Sequence, residues 1–565
     1  MASAVPVTNG NAATSTPLTE HNVASEVDKI LKDTKVNDFM NGTTPTKPPL
    51  ASATSKPSTT NGASNQDIPA VTSILASFIS SATSSLLTDA VRAKLHESIL
   101  DYIAVTAAGS DIAPSSEPIL NGLLAFIGLP ATHTASNTNN GTNPTGCTVI
   151  TRGQTYSPHY AALLNATFAH SLDFDDTHVT SSLHAGVTAI PTAFAMYEAM
   201  IHSPPEHGSS PSVDDLLLAI SLAYETTIRI GIALSPASYS RGFHNTGVAG
   251  IYGAIAAIAS LKKLSAETIT NAFGLAGSKA AGSMQYLDNG SWNKRLHPGF
   301  ACHDAFLCVA LAESNVVGAT KIIEGDLGTL HAYTDRPHSA IDWPRLTSDL
   351  GTKWEWLDNA LKPYAGCRMT HSFIELSDTI GKEIRAGHHG AKKVAKITCY
   401  MPTNNIILIG QRTSNKVHPE NMVDAQFSCY FQVANALCYG GTHDMAAYDR
   451  LQNPLVRAIS SRVECRPDEN MTGMGARMEI VLESDDGGER EVLRREMQEP
   501  LGEVSHPFVD ELREEKFLSL MRPIYGDETS RRVMELVYSL GAGNGKDGEQ
   551  SVKEILGLVA TTAQK

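Results

Sequence analysis

Between about residues 158 and 316 one helix-type pattern follows another, with no strand pattern between them. Apolar residues recur at helical spacing near 158–172, 185–201, 213–234, 246–263, 266–284 and 300–316. Strands must alternate with helices to build a βαβ unit, so this stretch has to pack helix on helix. Alanine and glycine are frequent in it, which lets helix axes approach closely. Gly247, Gly250 and Gly253 recur every three residues on one predicted helix, and close packing is their expected role. The segment Gly274-Leu275-Ala276-Gly277-Ser278-Lys279 lacks the spacing of a phosphate-binding loop and follows no strand. Upstream, Thr88-Asp89 marks a helix start, followed by Val91, Leu95, Ile99, Tyr102 and Ile103 at helical spacing.

The character changes after about residue 350. In Lys393–Met401 the residues Ala395, Ile397, Cys399 and Met401 alternate with Lys396, Thr398 and Tyr400, as in a strand. Met478, Ile480 and Leu482 alternate likewise, and Asp486-Gly487 supplies a hairpin turn before Glu491–Arg494. Predicted helices near 370–386 and 422–439 lie between, and 507–520 and 527–540 are helical again. The expected fold is mainly α. A large all-helical domain covers 69–358 and a smaller α+β lid domain covers 359–502. Residues 503–565 form C-terminal helices that return to the helical domain. Residues 1–68 are rich in Ser, Thr, Asn, Ala and Pro and are expected to form a disordered extension.

A formal net charge of −15 argues against nucleic acid or an anionic membrane as the main partner, although a local basic pocket can still take a small anion. No run of about twenty apolar residues stands out, so no membrane span is expected. The eight cysteines, at 147, 302, 308, 367, 399, 429, 438 and 465, form no Cys-x-x-Cys pair. That scatter fits reduced thiols better than a disulfide framework or a zinc site. The N-terminus lacks an apolar signal core. Its first lysine is Lys29 and its first arginine Arg92, with acids ahead of both, which makes the cytosol the expected compartment.

Three polar constellations carry the chemistry. Gly290-Ser291-Trp292-Asn293-Lys294-Arg295-Leu296-His297-Pro298-Gly299 is bracketed by glycine and proline and reads as a turn and short loop. Its adjacent cations suit a substrate with several carboxylates; a solvated basic turn is the plainer alternative. Asp173-Phe174-Asp175-Asp176-Thr177-His178, with His184 close behind, puts acids beside imidazoles. Asp173 orienting an imidazole while another acid caps a helix is one reading, a metal site another, ordinary capping a third. His244, just before a helix, is either functional or a satisfied structural histidine. Lys362-Pro363-Tyr364-Ala365-Gly366-Cys367-Arg368-Met369-Thr370-His371 places cations where two domains should meet. Cys367 there is a nucleophile only if a base activates it, and a buried thiol otherwise.

The motifs Asp-Phe-Asp-Asp-Thr-His…Leu-His, Gly-Phe-His-Asn-Thr, Gly-Ser-Trp-Asn-Lys-Arg-Leu-His-Pro-Gly and Lys-Pro-Tyr-Ala-Gly-Cys resemble, in order, those of the MmgE/PrpD family. That family includes cis-aconitate decarboxylases and 2-methylcitrate dehydratases. The resemblance implies an active site between the helical and lid domains, usually in a homodimer, with no metal or organic cofactor. Carried over by position, the pocket falls on Asp173, Thr177, His184, His244, Lys294, Lys362 and Tyr430. The segment Ser181-Ser182-Leu183-His184-Ala185 departs from the Trp-Gly-His-Pro type of the methylcitrate dehydratases. The expectation is a cofactor-free lyase acting on a citrate- or aconitate-like polycarboxylate, most like a cis-aconitate decarboxylase. His184 or His244 would move the proton, Asp173 would fix the imidazole, and Lys294, Lys362 and Arg295 would hold carboxylates. Dehydration of an alkyl- or methylcitrate, a metal-dependent hydrolase and a non-catalytic binding protein are the alternatives.

Overall fold

The computed structural model describes residues 68–127, 146–203, 210–484, 489–542 and 546–562. The expected N-terminal extension, up to residue 67, and the expected Asp486-Gly487 turn lie outside the described residues. The helical domain opens with α1 (Val71–Ser81), α2 (Asp89–Ile112) and α3 (Ser116–Phe126). It continues with α4 (Pro158–Ala169), α5 (Gly186–His202), α6 (Val213–Leu234), α7 (Asn245–Lys262), α8 (Ala266–Ala276) and α9 (Asn293–Glu313). Sequence chemistry sets the starts: Thr88 caps α2, Ser265 caps α8, and Ser212 with Asp215 forms a capping box on α6.

Helix α6 runs through the core against α7 and α5. By length and composition it could cross a membrane, yet 94% of its most apolar window is buried inside the protein. It is apolar because protein surrounds it. Its buried charges are paired: Arg229 Nε donates to Glu225 Oε1 at 2.5 Å, and Arg229 also donates to the carbonyls of Arg345, Ser348 and Lys353. The three-residue glycine spacing on α7 serves close approach, with Gly250 facing Thr188 of α5 and Gly253 facing Thr227 and Ala223 of α6.

The α+β domain holds α10 (His371–Arg385), α11 (Cys429–Tyr439) and α12 (Pro454–Ser460). Its strands are β1 (Lys393–Met401), β2 (Val463–Pro467), β3 (Ala476–Glu483) and β4 (Arg490–Met497). They form one sheet in the order β2-β1-β3-β4, parallel between β1 and β2 and antiparallel elsewhere. Helix α13 (Asp510–Tyr538) then packs along α2, and α14 (Lys546–Ala560) packs on α13. The two predicted helices, 507–520 and 527–540, follow each other directly within α13 and are separated at Gly526, whose φ of 78° and ψ of 171° are not helical. The eight cysteines are free, and six of them are buried.

Three predicted helices differ from expectation, and the one over 422–439 is split into Met422–Gln426 and Cys429–Tyr439. The segment predicted helical over 266–284 stops at Ala276, with only a 3₁₀ turn at Met284–Asp288 beyond it. Helix α9 starts at Asn293 rather than near 300, so Lys294 and Arg295 sit in its first turn and not in a loop. Pro298 is the sixth residue of α9, past its first turn, so it removes the backbone bond to the Lys294 carbonyl. Gly299 is there because a Cβ would collide with Thr167 Oγ1 and Leu163 O on α4. That glycine reports close helix packing and not a turn.

Candidate functional site

The acidic segment 173–176 leaves α4 and enters α5 where the helical domain meets the α+β domain. Its backbone is tied from several directions. Gly366 N–H and the Lys362 ammonium donate to Asp173 O, at 3.1 and 2.8 Å, and Gln426 Nε2 donates to Leu172 O at 2.6 Å. Lys516 of α13 donates to Phe174 O at 2.9 Å and pairs with buried Asp101. Asp173 itself is left-handed, with φ 50°, a conformation Asp tolerates better than most side chains.

Each carboxylate has a different task. Asp173 Oδ1 accepts from the Lys294 ammonium at 2.8 Å and the Lys362 ammonium at 3.0 Å. Burial alone would raise its pKa, but these two cations more than offset that and hold it well below the ordinary carboxylate range. Asp175 Oδ2 lies 2.8 Å from His170 Nδ1 and 2.9 Å from His184 Nδ1. The first contact is an aligned hydrogen bond; the second is close but not aligned as one. Asp176 accepts from Gly186 N–H at the start of α5, from Tyr224 and from Asn359, and so anchors the helix. The expected division of labour therefore shifts by two residues: Asp175, not Asp173, orients the imidazoles, and Asp173 is the lysine partner.

The hydrogen bonds assign the His170 tautomer. Nδ1–H faces Asp175, which leaves Nε2 to accept from Lys294 Nζ at 3.0 Å. His184 presents Nε2 3.9 Å from Asp173 Oδ1 and packs edge-on against His170, with ring centroids 4.6 Å apart. His244, at the α7 start, stacks on His170 at 5.6 Å, and its Nδ1 lies 3.0 Å from Nδ1 of His297. Burial lowers the pKa of every ring in this cluster. It takes His170 to about 3 and His297 to about 4, puts His244 well below its usual value, and lowers His184 despite Asp175 beside it. At His184 burial outweighs the raising effect of Asp175. All four rings are neutral near pH 7.

A cavity of about 70 Å³ opens beside these groups, lined by Asp173, Thr177, His184, Lys294, Lys362 and Phe427 among others. Asp173 Oδ2 and Thr177 Oγ1 are buried without a hydrogen-bond partner among the described residues, so polar capacity faces this space. The α9 N-terminus, Lys294 and Lys362 make one wall electropositive. Arg368 also lines the cavity and is paired with Glu503. Cys367 lines it too, but burial pushes its thiol up to about 11, so it is not a thiolate nucleophile at neutral pH.

Three expected residues lie outside the cavity lining, and of these His244 stacks on His170 while the other two fall elsewhere. Tyr430 is on α11, where its hydroxyl donates to Gly410 O at 2.7 Å and its ring lies under Arg412, outside the cavity lining. Arg295 follows Lys294 by one helical position and so points away, donating to Ser115 Oγ at 2.8 Å. His170 and Tyr239 were not singled out in the sequence, although His170 joins the imidazole cluster and Tyr239 lines the cavity. The recurrence of acids five and three residues after His170 is the one signal that pointed to it.

His170, Asp175 and His184 each offer one atom within 4.8 Å of the others, a spacing a metal ion could bridge. The bonds already made do not fit a cation. Both nitrogens of His170 are engaged, and Lys294 sets a full positive charge 3.0 Å from one of them.

Residues 73–341 match the MmgE/PrpD N-terminal domain, and residues 364–540 match the MmgE/PrpD C-terminal domain. The chain is 25% identical over 423 residues to the cis-aconitate decarboxylase-like protein oryM of Aspergillus oryzae, which spans 73% of this chain and 85% of that one. It is 27% identical over 289 residues to a cis-aconitate decarboxylase of Aspergillus terreus, spanning 50% of this chain and 54% of that one. With the cis-aconitate decarboxylase of Homo sapiens it shares 25% identity over 321 residues, or 56% of this chain and 63% of that one. The last two alignments span less than two thirds of the relative's own length. Both domain matches run in order through the helical and α+β domains whose junction holds this cluster, and the chain belongs to the MmgE/PrpD family.

Proposed function

We propose that this protein is a lyase that removes CO2 from a cis-aconitate-like polycarboxylate, using its own side chains. The observation that carries the reading is the Asp173–Lys294–Lys362 triad with His184 Nε2 at the same cavity. Two ammonium groups sharing one carboxylate retain donors and charge for substrate carboxylates. As the bond to the departing carboxylate breaks, its electron pair spreads into the neighbouring alkene and carboxylate. Preset positive groups stabilise that state most where water is excluded.

The neutral histidines then have a defined use. A substrate carboxylate arriving beside His184 favours the imidazolium and raises its pKa from the lowered value of the free protein. His184 gives that proton to the allylic carbon after CO2 leaves and regains one from solvent. Asp175 holds the ring while this happens. The names of the similar decarboxylases support loss of CO2 as the reaction.

One observation favours a second reading, dehydration of a citrate-like acid. His184 and His244 lie with ring centroids 6.4 Å apart, so one could remove a proton while the other assists hydroxide departure. The deciding experiment offers the purified protein citrate, alkylcitrates and aconitates and follows product mass. Loss of CO2 supports the first reading and loss of water the second. Tight binding with no change of mass over long incubation overturns both.

A further inference from the structure

The segment that carries Lys362 has a second face. Residues 359–362 run extended, and successive side chains of extended backbone face opposite sides. Ala360 exchanges backbone bonds with Thr177 at 2.7 and 2.8 Å, and Lys362 donates to Asp173, so both lie on the catalytic side. Asn359 and Leu361 instead line a separate cavity of about 330 Å³, bounded by α2 and by the segment 502–508 ahead of α13. That volume falls within the roughly 300–1,000 Å³ of small-molecule sites.

The wall between the two cavities is bonded through. Asn359 Nδ2 donates to Asp176 Oδ2 at 2.8 Å, in the loop that holds Asp173 and Asp175. Glu503, which lines the second cavity, accepts at 2.7 Å from Nε of Arg368, which lines the catalytic one.

The charges decide what the second cavity takes. Its carboxylates, Glu97 and Glu503, are both answered: Arg513 Nη1 lies 2.8 Å from Glu97 Oε1, and Arg368 holds Glu503. Its cations have capacity left. Lys94 Nζ meets Glu97 at 3.6 Å, too far for a hydrogen bond, and Arg513 Nε is buried with no hydrogen-bond partner among the described residues. Leu357, Leu361, Val504 and Phe508 supply apolar surface.

We infer that this cavity is an effector site for a small monocarboxylate with an apolar body, its carboxylate at Lys94 and Arg513. By packing on Leu361 the ligand fixes the segment 359–362. Lys362 is then set before substrate arrives, and substrate binding bears less ordering entropy. The site stands apart from the polycarboxylate reading above; only its effect on substrate rests on that reading.

Benzoate is the probe, with benzamide as its uncharged counterpart, titrated calorimetrically into the full chain. Benzoate should bind, and should still bind Lys294→Ala, in which the catalytic cavity has lost a cation. Lys94→Ala should weaken it about tenfold. Ala93→Phe, at an exposed position on the cavity lining, should block it without touching a charge. No benzoate binding, binding abolished by Lys294→Ala alone, or equal binding of benzamide overturns the site. Saturating benzoate should slow amide hydrogen exchange at 359–362 and tighten cis-aconitate about fivefold, and cis-aconitate should tighten benzoate by the same factor. An unchanged Kd for both overturns the effector role. If no polycarboxylate binds, the lyase reading falls, and exchange at 359–362 with benzoate alone still decides whether the site acts on that segment.

Discussion

At Asp175 one carboxylate oxygen sits within 3 Å of two imidazole nitrogens, and its neighbour Asp173 sits as close to two ammonium groups. This alternation along a single loop keeps proton-transfer groups and charge-stabilising groups separate while both face one cavity. The two kinds of residue should respond differently to substitution. His184→Gln retains a polar side chain but cannot carry a proton, so kcat should fall by about two to four orders of magnitude with KM little changed. Tyr430→Phe removes only the hydrogen bond to Gly410 O, and should cost about 1 kcal/mol of stability with kcat/KM unaltered. Steady-state kinetics of the two variants decide the assignment: full turnover in His184→Gln removes it from the chemistry, and a collapse in Tyr430→Phe returns that tyrosine to the site. That Asp173, His184, Lys294 and Lys362 would gather was legible because each lies in a short polar segment inside an otherwise apolar chain, whereas Thr177 came from the family resemblance alone. His170 and Asp175 were not separable from their neighbours, because which of three adjacent acids faces which ring depends on a left-handed backbone at Asp173 that composition does not reveal.

Among the elements, the helices were legible by their spacing and their ends by capping, as at Thr88, Ser212 and Ser265. Glycine and proline were ambiguous, because close packing and chain reversal call for the same residues. That is why Lys294 was placed on a loop when it stands in the first turn of α9, where the helix end adds to its positive charge. Strand alternation in β1 and β3 was clear because one face is buried, whereas the parallel pairing of β1 with β2 comes from tertiary contact alone. The packing role of glycine makes a prediction whose sign depends on position. Replacing glycine by alanine in a helix interior gains up to about 1 kcal/mol of propensity. At Gly122 of α3 nothing lies near a new Cβ, so Gly122→Ala should raise the urea midpoint. At Gly253 of α7 the Cβ would collide with Thr227 Oγ1 and Ala223 O on α6, so Gly253→Ala should lose about 1–3 kcal/mol despite the propensity gain. Stabilisation of both variants would mean that α6 and α7 can separate without cost.

Across the whole molecule, burial of neutral histidines ties stability to pH. His170 is lowered to about 3 and His178 and His297 to about 4, while His244 and His371 lie well below their usual value, each chiefly through burial. In the unfolded chain these rings titrate near 6.5. Between about pH 4 and 6.5 the unfolded state therefore binds more protons than the folded one, and stability rises with pH across that window. Each such ring contributes a slope of about 1.4 kcal/mol per pH unit. Asp101 works in the opposite sense. Burial raises it to about 6 despite Lys516, so it favours the folded state at low pH and that contribution is lost as pH rises through about 6. Burial raises Asp176, Glu198, Glu225 and Glu375 as well, and these act with Asp101, but the lowered rings, which include His96, His159, His184 and His418, outnumber them nine to five. The protein should be most stable above about pH 7 and lose stability steeply on acidification from 6.5 towards 5. Urea midpoints measured between pH 5 and 8 test this, with His178→Asn as the control. His178 is buried and hydrogen-bonded to Ser181, so its loss should reduce the proton uptake on unfolding by about one. Stability that stays level between pH 5 and 7 would show that these rings are already protonated in the folded protein, and the neutral resting state on which His184 acts would then be wrong.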